Sequence, residues 1–153
     1  MTNAESPRPR TVLPIESSLL LSDSFGPAEV TDLRHTVTSF AGESGLTGSR
    51  LEDFVLAVNE LITNAVRHGG GRGSIRLWRE GPAVICEVSD TGRGISAERL
   101  GDGRRPAPDT AGGWGLWLAK QLSDEMIVES SDLGTTVRIS ASLDPPPGQP
   151  PRR

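Results

Sequence analysis

Apolar residues along the chain follow a strand-like period in some segments and a helical period in others. Residues 11–25 are extended in character, and Pro14 restricts this segment to a strand start or a sheet edge. The next segment predicts a first helix, because Pro27 suits a first helical turn and Gly42 and Gly45 mark an end. The apolar positions of this helix recur at intervals of three and four: Val30, Leu33, Val37 and Phe40.

A second helix is predicted from about Gly48 to His68, with Ser49 as its cap and a glycine cluster after its end. Its apolar positions form one continuous stripe: Leu51, Phe54, Val55, Val58, Leu61, Ile62, Ala65 and Val66. Glu60, Asn64 and His68 recur every four residues. Because four residues advance about 40° around a helix, these three line up on the far side of that stripe.

Two hairpins, a long loop and a third helix complete the pattern. SIRLWRE and AVICEVSD predict strands around a Gly81–Pro82 turn, and MIVESS and TTVRISASL predict strands around Leu133–Gly134. Between the hairpins lie a polar loop from Thr91 to Gly113 and the helix GLWLAKQLSD. Clustered helices and clustered hairpins predict an α+β two-layer sandwich, with helices on one face of a mixed, mostly antiparallel sheet.

Length and composition limit the classes of protein that fit. The 153 residues, 35% of them hydrophobic and 24% charged, predict one globular domain at residues 11–143. Residues 1–10 and the Pro-rich 144–153 are expected to be disordered. The single cysteine, Cys86, lies in the apolar run AVICEV and is expected in the core.

The charge and the lack of long apolar runs argue against two kinds of partner. A net charge of −4 argues against direct nucleic-acid binding, which usually uses a basic face. No stretch of about 18 apolar residues predicts a membrane span, and the polar start does not resemble a signal peptide. We therefore expect a cytoplasmic protein.

Four short motifs carry candidate chemistry, and each alone has an ordinary structural explanation. Glu60 and Asn64 offer hard oxygen ligands suited to Mg²⁺, although a solvated polar helix face would look the same. Asp90, in DTGRG at a strand end, is able to accept a hydrogen bond from the amino group of a base. Gly92 and Gly94 would let a planar ring approach the backbone, although aspartate and glycine are also common in turns.

The other two motifs are GGWGLWL and GTTV. Gly113 and Gly115 lie where the loop becomes a helix, so that free backbone N–H groups could meet phosphate oxygens. A flexible hinge with a helix cap is the alternative explanation. Thr135 follows a turn and places a hydroxyl beside the sheet, which alone indicates only a hairpin.

Taken in order, the motifs E-x-x-x-N-A-x-x-H, D-x-G-x-G, G-x-G-L and G-T resemble the ATP-binding domain of the GHKL superfamily, the Bergerat fold. The resemblance runs from about residue 25 to residue 140. It implies ATP and Mg²⁺ as cofactors, with residues 91–112 as a lid over the nucleotide. It also implies roles for individual residues: Glu60 as general base, Asn64 as Mg²⁺ ligand, Asp90 as adenine reader, and His68, Gly92, Gly94, Gly113, Trp114, Gly115, Leu116 and Thr135 around the nucleotide.

Among GHKL proteins, the chain is similar to stand-alone anti-sigma factors of the RsbW and SpoIIAB kind, which are serine/threonine kinases. The segment LRHTVTSF resembles a helix of that subgroup and puts Arg34 at the position of a partner-contacting arginine, although a solvated arginine fits equally. Its partners would be a STAS-domain anti-anti-sigma protein and a sigma factor, and a homodimer is compatible. Trp114 departs from the basic residue that many relatives carry there.

Two other functions remain open at this point. The first is an ATP-dependent binding switch in which the nucleotide sets conformation without phosphoryl transfer. The second is an orphan histidine-kinase-type domain that acts in trans with a separate signalling protein. His35 lies in a segment that does not resemble a phosphoacceptor box, which argues against autophosphorylation at that histidine.

Overall fold

The computed structural model describes residues 17–92 and 114–143. In chain order these form β1 (Ser17–Phe25), a 3₁₀ turn (Pro27–Glu29), α1 (Val30–Ser44), α2 (Gly48–His68), β2 (Gly73–Glu80), β3 (Ala83–Asp90), α3 (Trp114–Leu122), β4 (Glu125–Ser131) and β5 (Gly134–Ser142). The predicted order of helices and hairpins is confirmed. Gly94, Gly113 and nearly all of the expected lid lie outside the described residues.

The five strands form one sheet in the order β1-β2-β3-β5-β4. Every described pair is antiparallel, where a mixed sheet was expected. The physical reason is the position of β5. Strands β3 and β4 run in the same direction, but β5 lies between them and pairs with both, so these two never become parallel neighbours.

All three helices pack on one face of the sheet, which confirms the α+β prediction. The core between the layers takes apolar residues from each helix and from the inner face of the strands, among them Val37, Phe54, Ile62, Leu116, Leu77, Cys86 and Ile139. Helix α2 is central, because its buried side covers the sheet and its flanks meet the other two helices. No described helix is both long and apolar enough to cross a membrane.

Helix ends differ from the predictions in two details. Helix α2 has Thr47, not Ser49, at the N-cap position, and the Thr47 side chain makes no capping hydrogen bond. Helix α1 continues through Gly42 and ends at Ser44, and the C-cap residue Gly45 has a φ of 124°, in a region open mainly to glycine. The end of α2 at His68 is confirmed.

The opposite face of the sheet is largely polar. Trp78 is 1% exposed, and two guanidinium groups lie over its ring: the ring centroid is 5.4 Å from Cζ of Arg76 and 5.6 Å from Cζ of Arg138. Glu87 bonds to both arginines, at 3.5 Å and 3.1 Å. The inner face therefore supplies the apolar core, while the outer face is held by charge pairs around one aromatic ring.

Candidate nucleotide site

Glu60 and Asn64 are half-buried along helix α2, and His68, at the end of the same row, is exposed. The predicted alignment of the three residues is confirmed by the helix itself, which is continuous from Gly48 to His68. Among residues 17–92 and 114–143, no hydrogen bond or ion pair involves the side chain of Glu60 or Asn64. Their oxygens are therefore free of described protein partners and available to a ligand.

The start of α3 lies directly beside Glu60. A Cβ atom added at Gly115 would stand 3.0 Å from Glu60 Oε1, a tighter contact than side chains normally make. Leu116 is buried in the core and anchors this end of α3. The N-terminal end of α3, the kind of helix end at which anions bind, is thus brought against the carboxylate face of α2.

Trp114 and Trp117 pack against each other at the start of α3. Their ring centroids are 5.7 Å apart and their planes are 78° apart, which is an edge-to-face contact. Trp114 is half-buried, so the departure from a basic residue places an aromatic pair at this end of the helix.

Asp90 ends β3 and lies beside the C-terminal end of α2. The backbone N–H of Gly92 donates to Asp90 Oδ1 at 2.9 Å. The other carboxylate oxygen, Oδ2, faces Gly69, the residue that follows α2, since a Cβ at Gly69 would lie 2.5 Å from it. The predicted adenine reader is therefore held in a defined orientation by neighbouring backbone.

Strand β5 brings Thr135 next to Asp90. The two residues are direct partners in the β3–β5 register, although they lie far apart in the chain. Thr135 is 4% exposed, and its hydroxyl shares a hydrogen bond of 2.9 Å with Ser130 on β4. A cavity of about 210 Å³ opens here, lined by Asp90, Glu129, Ser130, Ser131, Leu133, Gly134, Thr135 and Thr136.

Two residues of this site were missed by the sequence argument. The sequence predicts a helix end at Gly69 and a turn at Gly134, and it predicts no contact of either residue with Asp90. Gly134 has φ of 142°, and any Cβ there would run into the carbonyl oxygen of Asp90. The signal that could have found Gly134 is the G-T motif itself, because the glycine precedes the threonine that pairs with Asp90.

The oxygen atoms of this site could hold Mg²⁺ together with a nucleotide. No group of three or more His, Cys, Asp or Glu that could hold a metal occurs within the described part of the chain. An amide oxygen from Asn64, completed by phosphate oxygens and water, is the kind of coordination that Mg²⁺ accepts. The residues therefore fit a metal that arrives with ATP.

Arg34 lies on the exposed side of α1. Its own carbonyl accepts a hydrogen bond from Thr38, at 2.8 Å, which is internal to the helix. The structure leaves the predicted partner role of Arg34 as a prediction.

An α+β sandwich that gathers an acid, an amide and the start of another helix along the C-terminal half of α2, with a fixed carboxylate just beyond its C-terminus, is suited to a nucleotide. The chain belongs to the family described as the histidine kinase-like ATPase domain, whose model matches residues 24–141. This confirms the GHKL resemblance and the use of ATP by the family to which the chain belongs.

The chain is also similar to individual proteins with known names. The anti-sigma F factor of Bacillus subtilis is 30% identical over 138 residues, covering 83% of this chain and 88% of that protein. The serine-protein kinase RsbW of Halalkalibacterium halodurans is 36% identical over 123 residues, covering 72% and 74%.

A solved structure has the same fold. The crystal structure of the RsbU and RsbW domains of a Mycobacterium tuberculosis protein is 21% identical to this chain, with a TM-score of 0.57. The match covers 80% of this chain and 32% of that longer one.

Proposed function

We propose that this protein is an ATP-dependent serine/threonine protein kinase of the anti-sigma type. The observation that carries the proposal is the arrangement along α2, where Glu60 lies against the start of α3, Asn64 follows one turn later, and Asp90 is fixed beyond the helix end. The names of the relatives, anti-sigma F factor and serine-protein kinase RsbW, support the same function.

The phosphate end of the site would use Asn64, Gly115 and Glu60. Asn64 would hold Mg²⁺ together with the phosphates of ATP, and the ion would supply neutralisation of charge on the γ-phosphoryl group. The backbone at Gly115 would contact phosphate oxygens. The predicted contributions of Gly113 and of the lid concern residues outside the described ranges.

Transfer itself needs a base for the attacking hydroxyl. A serine or threonine oxygen of the partner would form a bond to the γ-phosphorus while the bond to the bridging oxygen breaks and ADP leaves. Glu60 would accept the hydroxyl proton. Because its carboxylate makes no described hydrogen bond or ion pair, it is available for this role, and positioning would supply most of the remaining rate acceleration.

The base end of the site would distinguish adenine from guanine. Asp90 would accept a hydrogen bond from the adenine amino group, with Thr135 and Gly92 beside it. Guanine presents a carbonyl at the same edge, so two acceptors would face each other. His68, exposed at the end of α2, and Leu116, buried behind the start of α3, would border the nucleotide.

The proposed partners are those that the resemblance to anti-sigma factors implies. A STAS-domain anti-anti-sigma protein would be the substrate, its phosphorylation would break the complex, and the released kinase would hold a sigma factor. Arg34, exposed on α1, would contact a partner, and a homodimer and a cytoplasmic location belong to the same proposal.

The test is transfer of radiolabelled γ-phosphate from ATP to a STAS-domain protein co-purified from the native cell. We expect Mg²⁺-dependent label on a serine or threonine of the partner. Label on histidine would instead support the orphan histidine-kinase alternative. No transfer, combined with complex formation that changes with ATP, would make the binding switch the better explanation.

A further inference from the structure

We infer that Gly69 is a positioning residue that sets the orientation of the Asp90 carboxylate and, through it, the preference for adenine. The inference rests on the proposed contact between Asp90 and the base. It assigns a role to a residue that follows α2 and that none of the four motifs includes.

The need for glycine at position 69 comes from space and not from backbone conformation. Gly69 has φ of −105° and ψ of 26°, which other residues adopt. It is buried, and an added Cβ would overlap the Asp90 carboxyl carbon and stand 2.5 Å from Oδ2 and 2.6 Å from the carbonyl oxygen of Ala65. Any side chain here therefore has to displace the Asp90 carboxylate or the end of α2.

Gly92 contacts both Asp90 and Gly69. Its N–H donates to Asp90 Oδ1, and a Cβ on Gly92 would stand 2.6 Å from the Gly69 Cα atom. The backbone after α2 and the backbone after β3 are thus packed directly on each other. The carboxylate lies between a hydrogen-bond donor at Oδ1 and the bare face of Gly69 at Oδ2, so its orientation is set before ligand arrives.

A fixed orientation matters because the proposed recognition depends on one hydrogen bond. A buried acceptor that loses its partner weakens binding by about tenfold or more. A carboxylate rotated away by a methyl group at position 69 should lose the adenine contact while leaving the phosphate contacts of α2 and α3 in place. Gly69→Ala should therefore weaken ATP binding and leave GTP binding almost unchanged.

The experiment is a double-mutant cycle measured by calorimetry with ATP and GTP. The proteins are wild type, Gly69→Ala, Asp90→Ala and the double variant. Gly42→Ala serves as the control, since a Cβ there would make an ordinary contact of 3.7 Å with Leu51. We expect Gly69→Ala to lose about tenfold in ATP affinity, and to lose nothing further once Asp90 is absent.

Each outcome decides something. Equal losses for ATP and GTP in Gly69→Ala, or losses that multiply in the double variant, would overturn the inference while leaving the adenine contact intact. Wild-type protein that binds ATP and GTP equally would overturn the adenine contact, and this inference with it.

A second variant covers the case in which Gly69→Ala does not fold, as judged by circular dichroism. Asp90→Glu keeps the acid and lengthens it by one methylene against Gly69. If Gly69 and Gly92 confine the carboxylate, Asp90→Glu should lose about tenfold in ATP affinity. Affinity retained in Asp90→Glu would show that the carboxylate is not confined and would overturn the inference.

Discussion

The two ends of the site along α2 hold their polar groups in different ways. At the base end, Asp90 is fixed by the Gly92 N–H and by the close approach of Gly69. At the phosphate end, Glu60 and Asn64 are half-buried and have no described hydrogen-bond partner. A group that only recognises a ligand binds it more tightly if its orientation is fixed beforehand. Groups that coordinate a metal or accept a proton need oxygen atoms that no protein group already occupies.

The largest expected effect is a loss of phosphoryl transfer, caused by a change at the phosphate end that leaves the base end intact. Glu60→Gln removes the proposed base, so phosphorylation of the partner should fall by about 10²–10⁴-fold, while ATP affinity is largely spared. Single-turnover transfer and calorimetry measure the two quantities separately. Glu52→Gln, an exposed acid on the same helix, is the matched control. Wild-type transfer rates in Glu60→Gln would show that the base is a different group.

The metal contact should affect both binding and transfer. Asn64→Ala removes the proposed Mg²⁺ ligand, so affinity for Mg²⁺ and ATP together should fall by about 10–100-fold, and transfer should fall with it. Asn59→Ala, on the same helix, serves as the control. Titration with and without Mg²⁺ gives the measurement. If Asn64→Ala loses the same factor in the absence of Mg²⁺, Asn64 is not a metal ligand.

A smaller effect is expected at the base end. Asp90→Asn replaces one acceptor with an amide, so ATP affinity should fall by about tenfold and the preference for ATP over GTP should shrink. Calorimetry with both nucleotides checks this. The same variant should retain a measurable transfer rate at saturating ATP, because Glu60 and Asn64 are untouched. An unchanged ATP to GTP ratio would contradict the assignment of Asp90.

The smallest expected effect is on the stability of the fold and comes from Cys86, buried on β3. Burial, and to a lesser extent the charge of Glu87, raises the pKa of the Cys86 thiol. In the unfolded chain the thiol ionises near pH 8.5, so the unfolded state gains stability as pH rises past that value. Between pH 7 and 9 this should lower the free energy of unfolding by about 1 kcal/mol.

Urea unfolding at several pH values measures that slope. Cys86→Ala cannot ionise, and its stability should fall less over the same range. An identical slope in Cys86→Ala and wild type would show that other groups account for the pH dependence.

Much of the fold was predictable because it depends on local patterns. The apolar stripe of α2 and the glycines after His68 predict the helix and its end correctly. The Gly81–Pro82 turn predicts the β2–β3 hairpin, and Leu133–Gly134 predicts the β4–β5 hairpin. The capping prediction failed, because the backbone of Thr47 is already extended and the helix begins at Gly48.

The candidate site was predictable where its residues share one element. Glu60, Asn64 and His68 align because a helix advances by a constant angle, and this follows from spacing alone. Asp90 was predictable as a strand end followed by glycines. These inferences need no knowledge of what packs against the helix or the strand.

The sequence by itself determined the helices, the hairpins and the alignment of the acid and amide on α2, since each depends on neighbours in the chain. Only the tertiary structure decided that β5 lies between β3 and β4, and so sets Thr135 beside Asp90. It also decided that Gly69 and Gly115 lie against two different carboxylates. Such contacts join residues far apart in the chain, and they are selected by the packing of whole layers, which no local pattern specifies.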